Sequence, residues 1–211
     1  MIKLYGICIS NYYNIAKLAL LEKDIAFEEV QTMPSKDVAV TALSPMGKVP
    51  FIVDGDYALS ESQAILRYLE LIKPGLYPID ARTAGRAQQI HQMLDHYIDA
   101  PARHLLGAAF FGETAAPEKI AEISQQLERN MKALGQVASF SPYIAGAALT
   151  HADLAAYTIF GLVRAVMTQL KAPDPLQALP AIDAYLAMLA QRPAFARVST
   201  DQHAAMTAMF A

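Results

Sequence analysis

Six residues, Lys73-Pro74-Gly75-Leu76-Tyr77-Pro78, divide the chain into halves with different patterns. Two prolines and a glycine in so short a space interrupt any helix or central strand. Before them, apolar residues switch between strand and helix spacing. Ile2 to Tyr5 reads as a short strand closed by Gly6, and Ile15, Leu18, Ala19 and Leu21 give one face of a helix over about 11–23. A second strand follows over 27–31, then a short helix after Pro34 and a turn at Ser44-Pro45-Met46-Gly47. Residues 49–53 and Tyr57-Ala58 form a hairpin around Asp54-Gly55, a strong turn pair. From Glu61 the spacing is helical again, with Ile65, Leu66, Leu69 and Ile72 on one face. The order is βαβαββα. After the breakers nothing reads as a strand. A long helix is predicted over 81–111, kinked by Pro101, with others over 118–138, from Thr150, and over 180–191. The chain is α/β first and all-helical second, with domains at 1–78 and 86–211 and a linker at 79–85.

The composition supplies the core such a division needs: of 211 residues, 54% are hydrophobic and 18% charged. Net charge is −3 with a pI near 5.9, which implies no basic face and argues against nucleic acid or an anionic membrane as partner. A single cysteine excludes an internal disulfide. With the chain opening directly on a strand rather than a signal peptide, and no run long enough to span a bilayer, a reducing cytoplasm is the expected compartment.

Four stretches carry chemistry. In Gly47-Lys48-Val49-Pro50 the proline cannot donate to a ladder, so it belongs at a strand start or an edge. A cis Val49-Pro50 bond would turn the Val49 backbone outward to pair with an extended peptide, although position alone favours trans. In Ser60-Glu61-Ser62-Gln63, Ser60 and Gln63 fit a capping box. Glu61 and Ser62 then fall in a first turn whose free amides suit a carboxylate. Glu61 would attract an ammonium beside it, so the pair suits the zwitterionic end of an amino acid. In Thr150-His151-Ala152-Asp153 the structural reading prevails: Thr150 and Asp153 form a capping box with Leu149 and Leu154 at the staple positions. Cys8-Ile9-Ser10-Asn11-Tyr12-Tyr13-Asn14 has more polar groups than a strand-to-helix turn requires, which points to a ligand-facing surface. His91, Asp95 and His96 suggest a metal, but only His91 and Asp95 share a helix face and no third ligand is evident, so no metal is expected.

Taken together, KLYGICIS, SPMGKVP, ALSESQAILRYLE, GLYP and YIAGAALTHADLAAY resemble, in order and spacing, the cytosolic glutathione transferases, and the serine-type, bacterial-like members among them. The resemblance covers nearly the whole chain. It implies a thioredoxin-like N-terminal domain, an all-α C-terminal helical bundle, a homodimer and a cis Pro50. It also implies detoxifying transfer of glutathione, as co-substrate, to a small hydrophobic electrophile.

By the same resemblance, Val49 pairs with the cysteinyl part of glutathione, and Glu61 and Ser62 hold its γ-glutamyl end. Lys36, helped by Lys48, meets the glycine carboxylate. Ser10 directs its hydroxyl at the sulfur. Asn11 departs from the proline common in the serine-type pattern and can share that task. The competing reading of Ser10 is an ordinary helix cap. Tyr5 is the rival hydroxyl, and Cys8 is packed or incidental. Tyr12 and Tyr13 border the electrophile pocket, with Arg103, His104, Phe110 and Phe111 as candidate walls. Two other functions compete: a glutathione-dependent isomerase or dehalogenase, and a non-enzymatic protein-binding adaptor.

Overall fold

The computed structural model describes residues 1–210 and divides into two compact units, Met1–Tyr77 with the segment from Leu189 onward, and Pro78–Met188. In the first unit β1 (Ile2–Gly6), β2 (Phe27–Gln31), β3 (Phe51–Asp54) and β4 (Tyr57–Ser60) form one sheet in the order β2-β1-β3-β4. β1 pairs parallel with β2 and antiparallel with β3, with Leu4 opposite Ile52 and Tyr5 opposite Phe51. The β3–β4 hairpin sets Phe51 opposite Ser60. This is the mixed, thioredoxin-like sheet that the resemblance implies.

α1 (Asn11–Glu22) is buried along nearly its whole length, because the sheet, α3 (Ser62–Ile72) and α10 (Pro193–Phe210) all pack on it. α3 is amphipathic in the ordinary sense, with Ile65, Leu66 and Leu69 buried. Its C-terminal end is fixed by buried Glu70, which accepts from Lys23, Gly75 N and Leu76 N. Burial alone would raise the Glu70 carboxyl, but Lys23 and the two amides outweigh it and hold it low.

α10 has no counterpart in the sequence reading. Pro193 starts it, a position where a missing N–H costs nothing. Phe195 and Val198 bury one face. Charged contacts fasten it to the first unit: Arg192 with Glu22 at 2.6 Å and Lys17 with Asp201 at 2.6 Å. The expected helical domain of 86–211 therefore differs from the fold, in which the segment from Leu189 onward belongs with the sheet. The expected linker at 79–85 is largely helix, since α4 (Ala81–Met93) starts directly after Asp80, whose carboxylate caps it through Arg82 N and Thr83 N.

In the second unit the predicted long helix is assembled differently from expectation. α4 runs into a π-helical segment, Leu94–Asp99, then α5 (Ala100–Arg103) and α6 (Leu106–Phe110). The π turn ends two residues before Pro101, whose missing donor was the reason to expect a kink in this stretch. α7 (Pro117–Gly135) and α9 (Ala181–Ala190) match predicted helices, and α8 (His151–Gln169) forms the buried centre.

The capping box at the head of α8 is present, and Asp153 does more than cap. It accepts from Thr150 N (2.7 Å), Thr150 Oγ1 (3.0 Å), Ile144 N (2.8 Å) and Tyr185 Oη (2.8 Å) while fully buried. Nearby, buried His91 and His151 meet Nδ1 to Nδ1 at 2.9 Å, so one ring donates and the other accepts. Among the described residues, no helix is long and apolar enough to cross a membrane.

Candidate active site

The register of the sheet brings four segments to one end of the first unit. β1 ends at Gly6 beside Gln31, the last residue of the parallel β2. β3 runs the other way, so its start at Phe51 lies at that same end, opposite both Tyr5 and Ser60. The chain leaving β1 therefore carries Ser10 and Asn11, and the chain leaving β2 carries Lys36. The chain entering β3 carries Lys48, Val49 and Pro50, and the chain leaving β4 carries Glu61 and Ser62. Carboxyl ends of strands are where sheets of this kind collect ligands.

Ser10 is the N-cap of α1, and its Oγ accepts from Tyr13 N at 3.4 Å. That bond is long, and it occupies one lone pair of the hydroxyl. The O–H proton stays available to donate outward. Capping and thiol activation therefore do not compete, and the cap fixes which way the hydroxyl sits. Asn11, buried, is the first residue of α1, and Tyr12 is half-buried.

The turn before β3 is held tightly. Ser44 Oγ donates to Lys48 O at 2.8 Å, and Gly47 N donates to Ser44 O at 2.7 Å. Gly47 has φ +64, and a Cβ there would run into Ser35 O, so only glycine fits. Ser35 N donates to Gly47 O at 2.9 Å, which ties the segment carrying Lys36 to the turn carrying Lys48. Lys36 and Lys48 are both exposed, Val49-Pro50 is cis, and Val49 lies outside the ladder that begins at Phe51.

The head of α3 differs from expectation. Ser60 is not the cap: it ends β4, and the N-cap is Glu61, which makes no side-chain capping bond. The predicted Ser60–Gln63 capping box does not form because the helix starts one residue late. Glu61 takes φ +72, a conformation costing a non-glycine residue roughly 1–3 kcal/mol. The result is a helix N-terminus that leaves its first amides uncapped by that residue, with Ser62 in the first turn and the exposed Glu61 carboxylate beside it.

Other candidates are placed elsewhere. Tyr13 does not border a pocket: it is 2% exposed and its hydroxyl donates to Glu29 Oε2 at 2.7 Å. Helical spacing turns it into the body of the unit, where burial and then Glu29 push its phenol up. Tyr5 stacks on Phe51 with ring centroids 4.6 Å apart, a structural role. Arg103 and His104 belong to the second unit, where Arg103 pairs with the buried Asp99 carboxylate and His104 is exposed. Burial pushes the Cys8 thiol up against the opposing pull of Lys17, so it is a poor nucleophile. His91 is held neutral by burial, with its proton affinity down at about 4, and His96 is exposed on another face. Among the described residues no group of three or more His, Cys, Asp or Glu is arranged to hold a metal.

Sequence reasoning missed Lys17 behind the site and gave Asn14 no role beyond membership of the Cys8–Asn14 stretch. Asn14 Nδ2 donates to Cys8 O at 2.8 Å, and Lys17 Nζ lies 3.8 Å from Cys8 Sγ. The signal was present as two polar residues inside an otherwise apolar helix.

Comparison with known proteins bears on the family of the chain. Residues 4–75 match the family model of the glutathione S-transferase N-terminal domain, and 117–187 match that of the C-terminal domain. A glutathione S-transferase of Pseudomonas putida is 35% identical over 99% of this chain and 96% of its own. Glutathione S-transferase 4 of Zea mays is 31% identical over 94% of this chain and 92% of its own. Among solved structures, glutathione transferase E6 of Drosophila melanogaster superposes with a TM-score of 0.79 at 20% identity, covering 98% of this chain and 95% of that one. The chain belongs to the glutathione S-transferase family.

Proposed function

We propose that the protein is a serine-type glutathione transferase. It binds glutathione at the sheet end of the first unit and activates its thiol for attack on a small hydrophobic electrophile. The observation that carries this reading is the meeting, at one end of the sheet, of the helix-capping Ser10 hydroxyl, an unladdered backbone and a helix N-terminus. In this reading the uncapped head of α3 and Ser62 take the γ-glutamyl carboxylate, and Glu61 takes its ammonium. Val49 pairs with the cysteinyl backbone beside Pro50, and Lys36 and Lys48 attract the glycine carboxylate. The cysteinyl sulfur then faces Ser10 and Asn11 at the head of α1, with Tyr12 at the border. No metal is required. Family membership supports a homodimer, and the composition supports a cytoplasmic location.

The energetics are modest. A free thiol with a pKa near 8.5 is mostly protonated at neutral pH. Bringing it down by about two units takes roughly 2.7 kcal/mol. One hydroxyl bond to charged sulfur supplies about 1.5–3 kcal/mol and the head of α1 about 0.3–1 kcal/mol. The thiolate then attacks the electrophilic carbon, a thioether forms, and the leaving group departs with the bonding pair.

The test is turnover of glutathione with a chloronitrobenzene, followed by the absorbance of the thioether product. Wild type should be active, and Ser10→Ala should lose about 10–100-fold in kcat/KM, the rate equivalent of the lost hydrogen bond. Equal activity in the two proteins would remove Ser10 from the mechanism.

A further inference from the structure

The turn that carries Ser10 is tied to one residue twice, once through its backbone and once through its side chain. Asn14 N donates to Ser10 O at 3.0 Å, and its side-chain Nδ2 donates to Cys8 O at 2.8 Å. Two of the three carbonyls in Cys8-Ile9-Ser10 are thus attached to one residue. A third tie, Ser10 N to Ile7 O at 3.0 Å, closes the turn on itself. Asn14 is fully buried, and its Oδ1 has no partner among the described residues. By burial alone an apolar residue would suit that position better, as at the neighbouring Ile15 and Leu18. What an apolar residue cannot do is hold the Cys8 carbonyl.

Behind this tie lies a charged brace. Lys17, 1% exposed, pairs with Glu29 and Asp201 at 2.6 Å each, and Arg197 reaches Glu29 at 3.1 Å and Asp201 at 3.7 Å. Two cations face two carboxylates, so the cluster supplies little net field. It fixes the position of the Lys17 ammonium, which lies against Cys8 Sγ at 3.8 Å. The turn is therefore held at the Cys8 carbonyl by Asn14 and touched at the Cys8 side chain by Lys17.

We infer that Asn14 is a positioning residue: by holding the Cys8 carbonyl while its own amide takes the Ser10 carbonyl, it sets the direction of the Ser10 hydroxyl toward glutathione sulfur. This rests on the proposed role of Ser10. It touches neither substrate nor sulfur and acts only through the turn.

The test titrates bound glutathione by its thiolate absorbance in wild type, Ser10→Ala, Asn14→Ala and the double variant, with glutathione affinity measured by calorimetry. Asn14→Ala should lower the thiolate fraction at pH 7 about three- to tenfold while raising Kd by no more than about fourfold, the rise that losing the thiolate itself brings. In the Ser10→Ala background the same substitution should lower it no further, because the effect passes through Ser10. An unchanged thiolate fraction in Asn14→Ala, or full additivity in the double variant, would overturn the inference while leaving Ser10 in place. A Ser10→Ala protein that keeps the wild-type fraction would overturn the reading of Ser10, and this inference with it. If Asn14→Ala does not fold, the wild type decides. Its Asn14 side-chain amide proton should exchange slowly and shift in the NMR spectrum when glutathione binds. Fast exchange with no shift would overturn the inference.

Discussion

At the residue scale, Asp153 is a heavily used buried group, with four donors on one carboxylate. Removing one donor and removing the acceptor are different experiments. Thr150→Ala deletes one hydroxyl at a cap and should cost about 1 kcal/mol. Asp153→Ala leaves two amides and two hydroxyls buried without their acceptor and should cost about 3 kcal/mol or more. Denaturant unfolding of the two variants checks this, and equal losses would mean that Asp153 acts only as a cap. Thr150 and Asp153 were legible in the sequence because a capping box is a local pattern. Their ties to Ile144 and Tyr185 were not, since they depend on where distant segments pack.

At the scale of elements, α4 and α8 meet through His91 and His151. Burial holds His91 neutral, with its proton affinity down at about 4 against an ordinary value near 6.5. Between those two values the unfolded chain binds a proton that the folded chain does not, so stability rises with pH across that window. Acidification from about pH 6.5 to pH 4 should therefore remove about 3 kcal/mol of stability through this residue. Denaturant midpoints measured across that range should fall steeply in wild type and less in His91→Leu. Parallel curves for the two proteins would place the acid sensitivity elsewhere. The elements themselves were largely readable: periodicity located β1 to β4, α1, α3 and α7 to α9. α10 escaped because, among its described side chains, only Phe195 and Val198 are buried and much of its anchoring is ionic, through Lys17, Arg192 and Arg197 to partners far away in sequence. The start of α3 escaped because Glu61 adopts a backbone conformation that propensity argues against.

At the scale of the whole molecule, the site follows from topology. One antiparallel strand in an otherwise parallel arrangement brings a strand start and three strand ends together at one edge of the sheet. Each site segment was visible as a motif, because turns and helix starts use recognisable residues. Their convergence was supplied by the resemblance and not by any local signal. Tyr13 shows the limit of motif reading: adjacent tyrosines look alike in sequence, yet helical geometry sends Tyr13 to Glu29 and leaves Tyr12 half-buried. The central claim is that Ser10 makes glutathione a thiolate. With no tryptophan in the chain, thiolate absorbance is the suitable probe. The decisive measurement is the pH titration of glutathione bound to wild type and to Ser10→Ala. The bound thiol in wild type should titrate about two units below the free value near 8.5, and Ser10→Ala should still bind glutathione but return its thiol toward that value. A bound thiol that titrates low in both proteins would contradict that claim.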